Sequence, residues 1–378
     1  MFNAAHQATG AQPAALAHAI WAYAAHIDDL GALSAAVSRI GHKHASLNVG
    51  AGQYPIVGEH LLASIKEVVV GVEAGVLEAW AAAYEQLAGI FIEFEAGLYR
   101  EAEGREGGWT GWRGFTVAKK VVESDEIVSF YLRPRDGGAL PAFQAGQFVS
   151  VRAFVPEMGV YQPRQYSLSD APDGKHFRIS VKREGATATG PAGRISNVLH
   201  QLLPEGAELD LSNPYGDFTL DLHKDSPVVL ISGGVGITPL MAMLSNIVAY
   251  SNSTNKSNDS KKGEERKKRR VVFVHAVRNG KVHALKSQLA ELMAKDPEVE
   301  RAIFYEEVGE NDLLGVDYDY RGRIDLDKIR NQVLLPDADY YLCGPVPFMR
   351  AERRGLEQLG AEAARIHSEV FGAGDGME

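Results

Sequence analysis

The sequence predicts a multidomain chain that passes from an all-α region, through a β-rich region, to an α/β region with a parallel sheet. Apolar residues recur at helical spacing through residues 1–100, and the period changes to two after the Gly-rich segment 101–111. From residue 227 onwards, buried strands alternate with helical stretches. The length of 378 residues suits two or three domains.

Composition narrows the classes of function and location. The net charge of −10 disfavours a nucleic-acid partner or an anionic membrane surface. A single cysteine excludes an internal disulfide, and the N-terminal stretch resembles no secretory signal, so we expect a cytoplasmic protein. Residues 227–250 are uncharged and long enough to span a bilayer, but three glycines and Pro239 favour a strand, a turn and a helix.

The N-terminal region is predicted to form four helices, and one of them carries a histidine on its apolar face. His44 continues the apolar series Leu33, Val37, Ile40 at steps of three and four, whereas His42 points to another side. Residues two apart on a helix diverge, so the two histidines cannot share a metal ion. The fourth helix, through Trp80 and Phe91, adds an inward-leaning carboxylate at Glu95, and the third begins at Pro55.

Two interpretations of His44 are about equally supported by the helical region alone. It is either a core histidine bonded to a neighbour or the axial ligand of haem iron, which needs one imidazole in an apolar all-α pocket. Tyr54 and Glu95 favour haem, because a ligating imidazole donates its other N–H to an acceptor and a buried carboxylate needs such a partner. Alternatively, Glu95 snorkels from the helix edge to water.

The β-rich region contains a candidate anion site in "RQYSLS", residues 164–169. Arg164 is able to grip a phosphate, Tyr166 to lie against a planar cofactor, and Ser167 to add a small polar group. The alternative is an ordinary strand with a surface arginine. Downstream, "GRISNVLH" at 193–200 predicts a helix start whose free N–H groups suit a pyrophosphate.

Two strand ends in the α/β region are candidates for binding a dinucleotide. In "SGGVGITPLMAM", residues 232–243, glycines separate a buried strand from a helix, an arrangement that serves either a phosphate or a tight turn. In "YLCGP", residues 341–345, Cys343 either touches a nicotinamide or fills space as a small apolar group. Between these stretches, residues 251–270 are polar and of low complexity, and we expect a solvated, disordered insertion.

The order RQYS, GGVGITP, CGP resembles the ferredoxin–NADP reductase superfamily. Together with the helical region, the chain resembles the flavohaemoglobins, the nitric oxide dioxygenases of bacteria and fungi, from Phe2 to about Gly372. The resemblance implies an incomplete globin-like haem domain at 1–105, an antiparallel β-barrel that binds FAD at 112–222, and an α/β domain that binds NAD(P) at 223–378, with the polar insertion 251–270.

The resemblance also assigns site residues. It makes His44 the proximal ligand of haem iron and Tyr54 and Glu95 its hydrogen-bond network, and it places Lys43 and Glu369 near the gap between haem and flavin. Phe2 and Gln12 would line the haem pocket. The flavin and nicotinamide residues implied are Phe148 (where many relatives have tyrosine), Arg164, Gln165, Tyr166, Ser167, Gly234, Val235, Gly236, Ile237, Thr238, Pro239, Cys343, Gly344, Val370, Phe371 (over the flavin ring) and Gly372.

The implied activity is detoxification of nitric oxide under nitrosative stress. Electrons from NAD(P)H pass through FAD to haem b, where NO and O2 give nitrate. The alternatives are a haem-free NAD(P)H flavin reductase or diaphorase, and a non-enzymatic haem protein that binds O2 or NO. Arg278, after the strand "VVFVHA", is either a partner for the 2′-phosphate of NADPH or a surface charge.

The family's globin domain has further helices before the position of Phe2, including one with a distal tyrosine, and this sequence does not contain them. An incomplete gene model and a degenerate haem domain are both consistent with this. We expect a monomer that self-associates through the apolar globin face left uncovered at residues 13–30.

Overall fold

The structure is a computed structural model that describes residues 10–69, 73–186, 192–254 and 268–372. Its first part is helical, as predicted. The α-helices among its described residues are α1 Ala11–Ala25, α2 Ser34–Ser46, α3 Tyr54–Val68 and α4 Ala74–Gly104. Pro55 lies in the first turn of α3, where its missing N–H costs nothing. A small core around Val49, Tyr54, Ala88 and Phe91 joins α2, α3 and α4.

The β-rich region forms one curled antiparallel sheet in the order β4-β3-β6-β1-β2-β5. Its strands are β1 Arg113–Val122, β2 Ile127–Pro134, β3 Phe148–Val155, β4 Val160–Ser167, β5 Phe177–Lys182 and β6 Glu208–Leu211. A single bridge between Leu168 and Ile179 joins the two edges, so the sheet is a nearly closed barrel. Helix α5, Arg194–Leu202, buries Ile195, Val198 and Leu199 in the barrel core.

The alternating pattern did not predict β6, and it left a strand at the RQYS stretch, which is the end of β4, as only one of two alternatives. β4 consists mostly of polar residues and contains Pro163. The proline is tolerated because β4 is an edge strand that pairs along its length with one neighbour, β3. β6 is only four residues long, too short for a period to be recognised.

The C-terminal region is a parallel six-stranded sheet in the order β10-β9-β8-β7-β11-β12. The strands are β7 Val228–Gly233, β8 Val271–Val277, β9 Val299–Tyr305, β10 Tyr320–Arg321, β11 Asp339–Cys343 and β12 Ile366–Glu369. Helices α6 Ile237–Thr254 and α7 Lys286–Lys295 cover one face, and α8 Arg330–Val333 and α9 Val346–Leu359 cover the other. Chain order reverses between β7 and β11, where ligands bind such sheets.

The long uncharged segment is part of this core. Among the described residues, Gly234–Ser253 is the one helical stretch long and apolar enough to cross a bilayer, and 72% of its most apolar window is buried inside the protein. Strand, turn and helix follow one another there, as predicted.

The predicted disordered insertion 251–270 is too long at both ends. Residues 251–254 continue α6, and Arg269 is buried, with its guanidinium donating to the carbonyls of Ser226 and Asp221. The polar composition of the segment concealed these ordered ends. Residues 255–267 lie outside the described residues.

Candidate functional site

His44 is half-buried in the helical region and forms a polar triad with two buried residues, Tyr54 and Glu95. Its Nδ1 is 2.7 Å from Glu95 Oε1 and 3.1 Å from the Tyr54 hydroxyl, and the hydroxyl donates to the same Glu95 oxygen at 2.6 Å. Glu95 is only 2% exposed, so the alternative in which it snorkels to water is wrong. With Nδ1 engaged, Nε2 is the ring nitrogen that remains for a ligand.

Ring packing and a further hydrogen bond hold the triad in place. The ring of Phe91 lies 5.6 Å from that of His44, centroid to centroid. Tyr84 donates its hydroxyl to the Tyr54 carbonyl at 2.7 Å, which fixes the start of α3. Burial and the Glu95 carboxylate raise the pKa of Tyr54 far above its usual range, so its hydroxyl stays a donor. A ligating imidazole has this environment, with its second nitrogen bonded to a carboxylate.

The other haem-pocket candidates are less defined. Gln12, at the start of α1, is half-buried, and its side-chain oxygen has no hydrogen-bond partner among the described residues. A buried acceptor of this kind needs a hydrogen-bond donor. Phe2 lies outside the described residues.

Lys43 of the helical region and Glu369 of the C-terminal segment are close enough for their charges to interact. Lys43 Nζ donates to the carbonyl of Gly372 at 3.1 Å. Burial raises the pKa of Glu369 to about 7, with the charges of Lys43 and Arg39 lowering it and that of Asp217 raising it further. Burial also lowers the pKa of Lys43. The two residues therefore form a partly desolvated charged cluster beside the end of β12.

The RQYS stretch forms the end of edge strand β4. Arg164 is half-buried, and burial lowers the pKa of its guanidinium, which the nearby positive charge of Arg194 lowers further. Arg194 is the first residue of α5, so two guanidiniums whose charges repel each other lie near the start of this helix. A bound phosphate would relieve their repulsion. Arg194 lies in the predicted helix start "GRISNVLH", but no local pattern distinguishes it as a phosphate contact.

The remaining flavin candidates divide between the two sides of this strand. Burial raises the pKa of Tyr166, and the side chain packs against the barrel core. Gln165 Nε2 donates to the hydroxyl of Ser150 at 2.9 Å, and Ser167 is buried opposite Phe148 in the strand register. Phe148 itself packs against the helical region, in a cluster with Ala45, Ala102 and Tyr215.

The nicotinamide candidates converge at the carboxyl ends of β7 and β11. The turn Gly234–Gly236 leads into α6, and a Cβ at Gly236 would lie 2.1 Å from the Cys343 carbonyl oxygen, so only glycine allows these strand ends to touch. Thr238 donates to the Val235 carbonyl at 3.0 Å, which fixes the turn. Ile237, Thr238 and Pro239 are buried at the start of α6, and Gly344 follows Cys343 at the same edge.

Two polar candidates in this region are engaged elsewhere. Cys343 is fully buried in the hydrophobic core, and burial raises the pKa of its thiol, which favours the space-filling role over contact with a nicotinamide. Arg278 forms an ion pair with Glu126, which lies in the turn just before β2. In the closing motif, Val370 is buried in the sheet core and Phe371 is 43% exposed.

The residues that join the helical region to the barrel were not predicted from the sequence. Ser38 donates to Asp217 at 2.6 Å, and Ser150 donates to Ser46 at 2.9 Å. None of these residues belongs to a hydrophobic period or a chemical motif, and a turn signal at "NPYGDF", residues 213–218, was the available hint.

Comparison with known proteins agrees with this architecture. Residues 2–91 match the family model "Globin", and residues 230–354 match "Oxidoreductase NAD-binding domain". The flavohemoprotein of Bordetella pertussis is 54% identical over 99% of this chain and 89% of its own length. That of Chromobacterium violaceum is 50% identical over 100% of this chain and 89% of its own length.

Solved structures are similar in the same way. The flavohemoglobin of Malassezia yamatoensis, with bound FAD and heme, has a TM-score of 0.81 and 27% identity over 98% of this chain and 89% of that one. The FAD/NAD-binding domain of the nitric oxide dioxygenase from Vibrio cholerae has a TM-score of 0.57 and 36% identity over 69% of this chain and 98% of that one. The helical region, the curled antiparallel sheet and the parallel sheet are thus parts of one known architecture, and this chain belongs to the flavohaemoprotein family.

Proposed function

We propose that this protein is an NAD(P)H-dependent nitric oxide dioxygenase that converts NO and O2 to nitrate, using haem b and FAD. The observation that carries the proposal is the His44–Tyr54–Glu95 triad in a chain that is similar over its whole length to flavohemoproteins. The parallel-sheet domain supplies the hydride-donor site that a simple oxygen-binding protein would not need. Its reductase half therefore favours an enzyme over a sensor.

His44 would hold haem iron through Nε2. When bound, haem supplies the redox-active iron at which O2 and NO react. Glu95 accepts the Nδ1 proton of His44, which fixes the tautomer, orients the ring and makes the imidazole a stronger electron donor. Tyr54 donates to the same carboxylate oxygen and so keeps it in place. The side-chain oxygen of Gln12, which has no hydrogen-bond partner in the described part of the chain, supports a place for that side chain in the pocket.

Arg164 and Arg194, with the N-terminus of α5, would bind the FAD phosphates, and Tyr166 and Phe371 would flank the flavin ring. We assign the Gly234–Pro239 turn, with Gly344, to the nicotinamide dinucleotide. Lys43, which is hydrogen-bonded to the Gly372 carbonyl, would hold the C-terminal segment beside the haem domain. Glu369 would set the charge in the gap between haem and flavin.

We propose domain boundaries at 1–105, 112–222 and 223–378. Helix α4 ends at Gly104, β1 begins at Arg113, and β7 begins at Val228, so each boundary falls between elements. The segment 105–112 carries the chain from the helices into the barrel.

We further propose a cytoplasmic monomer that self-associates at high concentration. The cytoplasm is a reducing compartment, in which a free cysteine such as Cys343 would stay reduced. Exposed apolar side chains on and after α1, namely Leu16, Trp21 and Ile27, support self-association. No membrane or nucleic-acid partner enters this proposal.

The same exposed side chains favour one second candidate, a haem-free flavin reductase, because an open helical region would hold haem weakly. Adding haem to the purified protein and recording the Soret band separates the two functions. A Soret band at one haem per chain supports the dioxygenase, and its absence supports the reductase.

The decisive experiment is NO consumption with NADH by protein loaded with haem and FAD, beside the His44→Ala variant. We expect rapid consumption that the variant loses, while NADH-driven reduction of an artificial electron acceptor persists in both. Equal NO consumption by the two proteins would refute the assignment of His44.

A further inference from the structure

One face of α2 is hydrogen-bonded to the flavin domain from Ser38 to Ser46. Ser38, His42 and Ser46 lie four residues apart on this helix, so their side chains form one stripe, away from His44. Ser38 Oγ donates to Asp217 at 2.6 Å, and Ser46 Oγ accepts from Ser150 at 2.9 Å. Between them, the Nδ1 atom of His42 accepts the backbone N–H of Gly216 at 3.1 Å. The helix that carries the predicted iron ligand is therefore also the helix that docks onto the flavin domain.

On the barrel side, the position of the Gly216 N–H is fixed by strand β3. The preceding residue, Tyr215, exchanges two backbone hydrogen bonds with Phe148, at 2.8 and 2.9 Å. Gly216 has φ +122°, and a Cβ there would lie 3.0 Å from the Phe148 ring, so a larger residue would displace this turn. The donor that faces His42 is thus set by the same strand that pairs with the RQYS strand.

On the helical side, the ring of His42 is fixed by packing. It lies edge-on to Phe94 of α4, with centroids 5.9 Å apart, and 6.5 Å from the ring of Tyr215. Because the backbone N–H can only donate, Nδ1 must present its lone pair to it. This interdomain bond therefore requires an acceptor at one defined place on the helix.

The next contact along the stripe leads directly to the flavin motif. Ser150, which donates to Ser46, accepts from Nε2 of Gln165 at 2.9 Å. Gln165 belongs to the RQYS stretch on β4. Two hydrogen bonds thus separate the iron-bearing helix from the strand assigned to FAD.

We infer that His42 is a positioning residue for electron transfer, which holds α2 at a fixed distance from the flavin by accepting the Gly216 N–H. The inference rests on the proposed function, since it presumes flavin and haem in their assigned sites. Electron transfer slows steeply with distance, so loss of this acceptor slows the step between the two cofactors and leaves the step from nicotinamide to flavin unchanged. His42 touches neither cofactor in this account.

The test separates the two electron-transfer steps by anaerobic stopped-flow absorbance, using protein loaded with haem and FAD and mixed with NADH. His42→Phe keeps a ring but removes the acceptor, and we expect flavin reduction at the normal rate and haem reduction slower by about tenfold or more. His42→Asn places an amide oxygen near the position of Nδ1, and we expect it to restore haem reduction. The matched control is His60→Asn, an exposed histidine on α3, which should change neither rate.

A second measurement needs no cofactor. Amide hydrogen exchange over residues 212–218 should be faster in His42→Phe and protected in the original protein and in His42→Asn. Ser38→Ala, a milder change on the same stripe, should raise exchange at Asp217 and slow haem reduction to a smaller extent.

Three results would overturn the inference: normal haem reduction in His42→Phe, a His42→Asn variant as slow as His42→Phe, or slowing of both steps together. Failure of the proposed function gives a different pattern. A protein that consumes no NO but shows these exchange changes would retain the docking contact and lose the assigned activity.

Discussion

In the C-terminal sheet, Val228–Ile231 are completely buried, whereas on α1 Trp21 is 72% exposed and Leu16 43%. The parallel sheet is covered by helices on both faces and completes its own hydrophobic core. The helical region has a smaller core, and it holds a hydrogen-bonded triad at its centre. We infer that the reductase half folds on its own contacts, while the helical region depends on what binds it.

The strongest test of this contrast is calorimetry with and without haem. A ligand that binds only the folded state at a hundredfold excess over its Kd stabilises that state by about 2.7 kcal/mol. We expect haem to raise the Tm of the helical region and to leave the transition of the reductase half in place. His44→Ala should abolish the shift. A single transition that moves as a whole would show that the two halves are one cooperative unit.

The next test is the carboxylate of the triad. Glu95→Gln removes the charge that accepts from His44, and changes of this kind cost about 10–100-fold in metal affinity or activity. We expect a raised haem reduction potential and slower NO turnover. Tyr54→Phe removes a neutral donor from the same oxygen and should have a smaller effect. An unchanged turnover rate in Glu95→Gln would count against the network.

We expect a smaller effect on stability from the charged cluster of Lys43 and Glu369, which lies between the two halves. Because burial raises the pKa of Glu369 to about 7, the folded state binds this proton more tightly than the unfolded state does. Its contribution to stability is therefore complete below the unfolded pKa, near 4.5, and is lost as pH rises to about 7.

Glu369→Gln should remove this dependence. We expect its Tm, relative to the original protein, to be higher at pH 8 than at pH 5. Glu93→Gln, an exposed carboxylate on α4, provides the control. A difference in Tm that is the same at both pH values would show that Glu369 ionises as it does in water.

The smallest expected effect is at the exposed face of α1. Trp21→Glu should change the free energy of unfolding by no more than about 0.5 kcal/mol, because the side chain is 72% exposed. It should nevertheless reduce self-association, measured by sedimentation at increasing concentration. Equal association of the two proteins would locate the contact elsewhere.

The same contrast explains what the sequence was able to predict. Periods of 3.6 and 2 residues located the four helices and most strands, because each of these elements buries one regular face. His44 and Glu95 could be paired in advance, because each would be costly in an apolar setting without a partner. The whole-chain resemblance supplied the flavin and nicotinamide assignments.

Contacts between regions could not be predicted in this way. His42 was set aside because it cannot share a metal ion with His44, and no pattern connects it to Gly216, 174 residues later. Arg278 was predicted to be either a partner for a 2′-phosphate or a surface charge, and neither alternative included its ion pair with Glu126. A pairing across domains depends on the final docking of surfaces, and a local period carries no information about that docking.

The edge strand β4 has a further consequence. An unpaired strand edge is a template on which a second chain can add a strand, and proline is one of the residues that block such growth. Pro163 lies midway along β4 and offers no N–H to an incoming backbone. Pro163 therefore makes the barrel edge formed by β4 less able to pair with a strand of another chain.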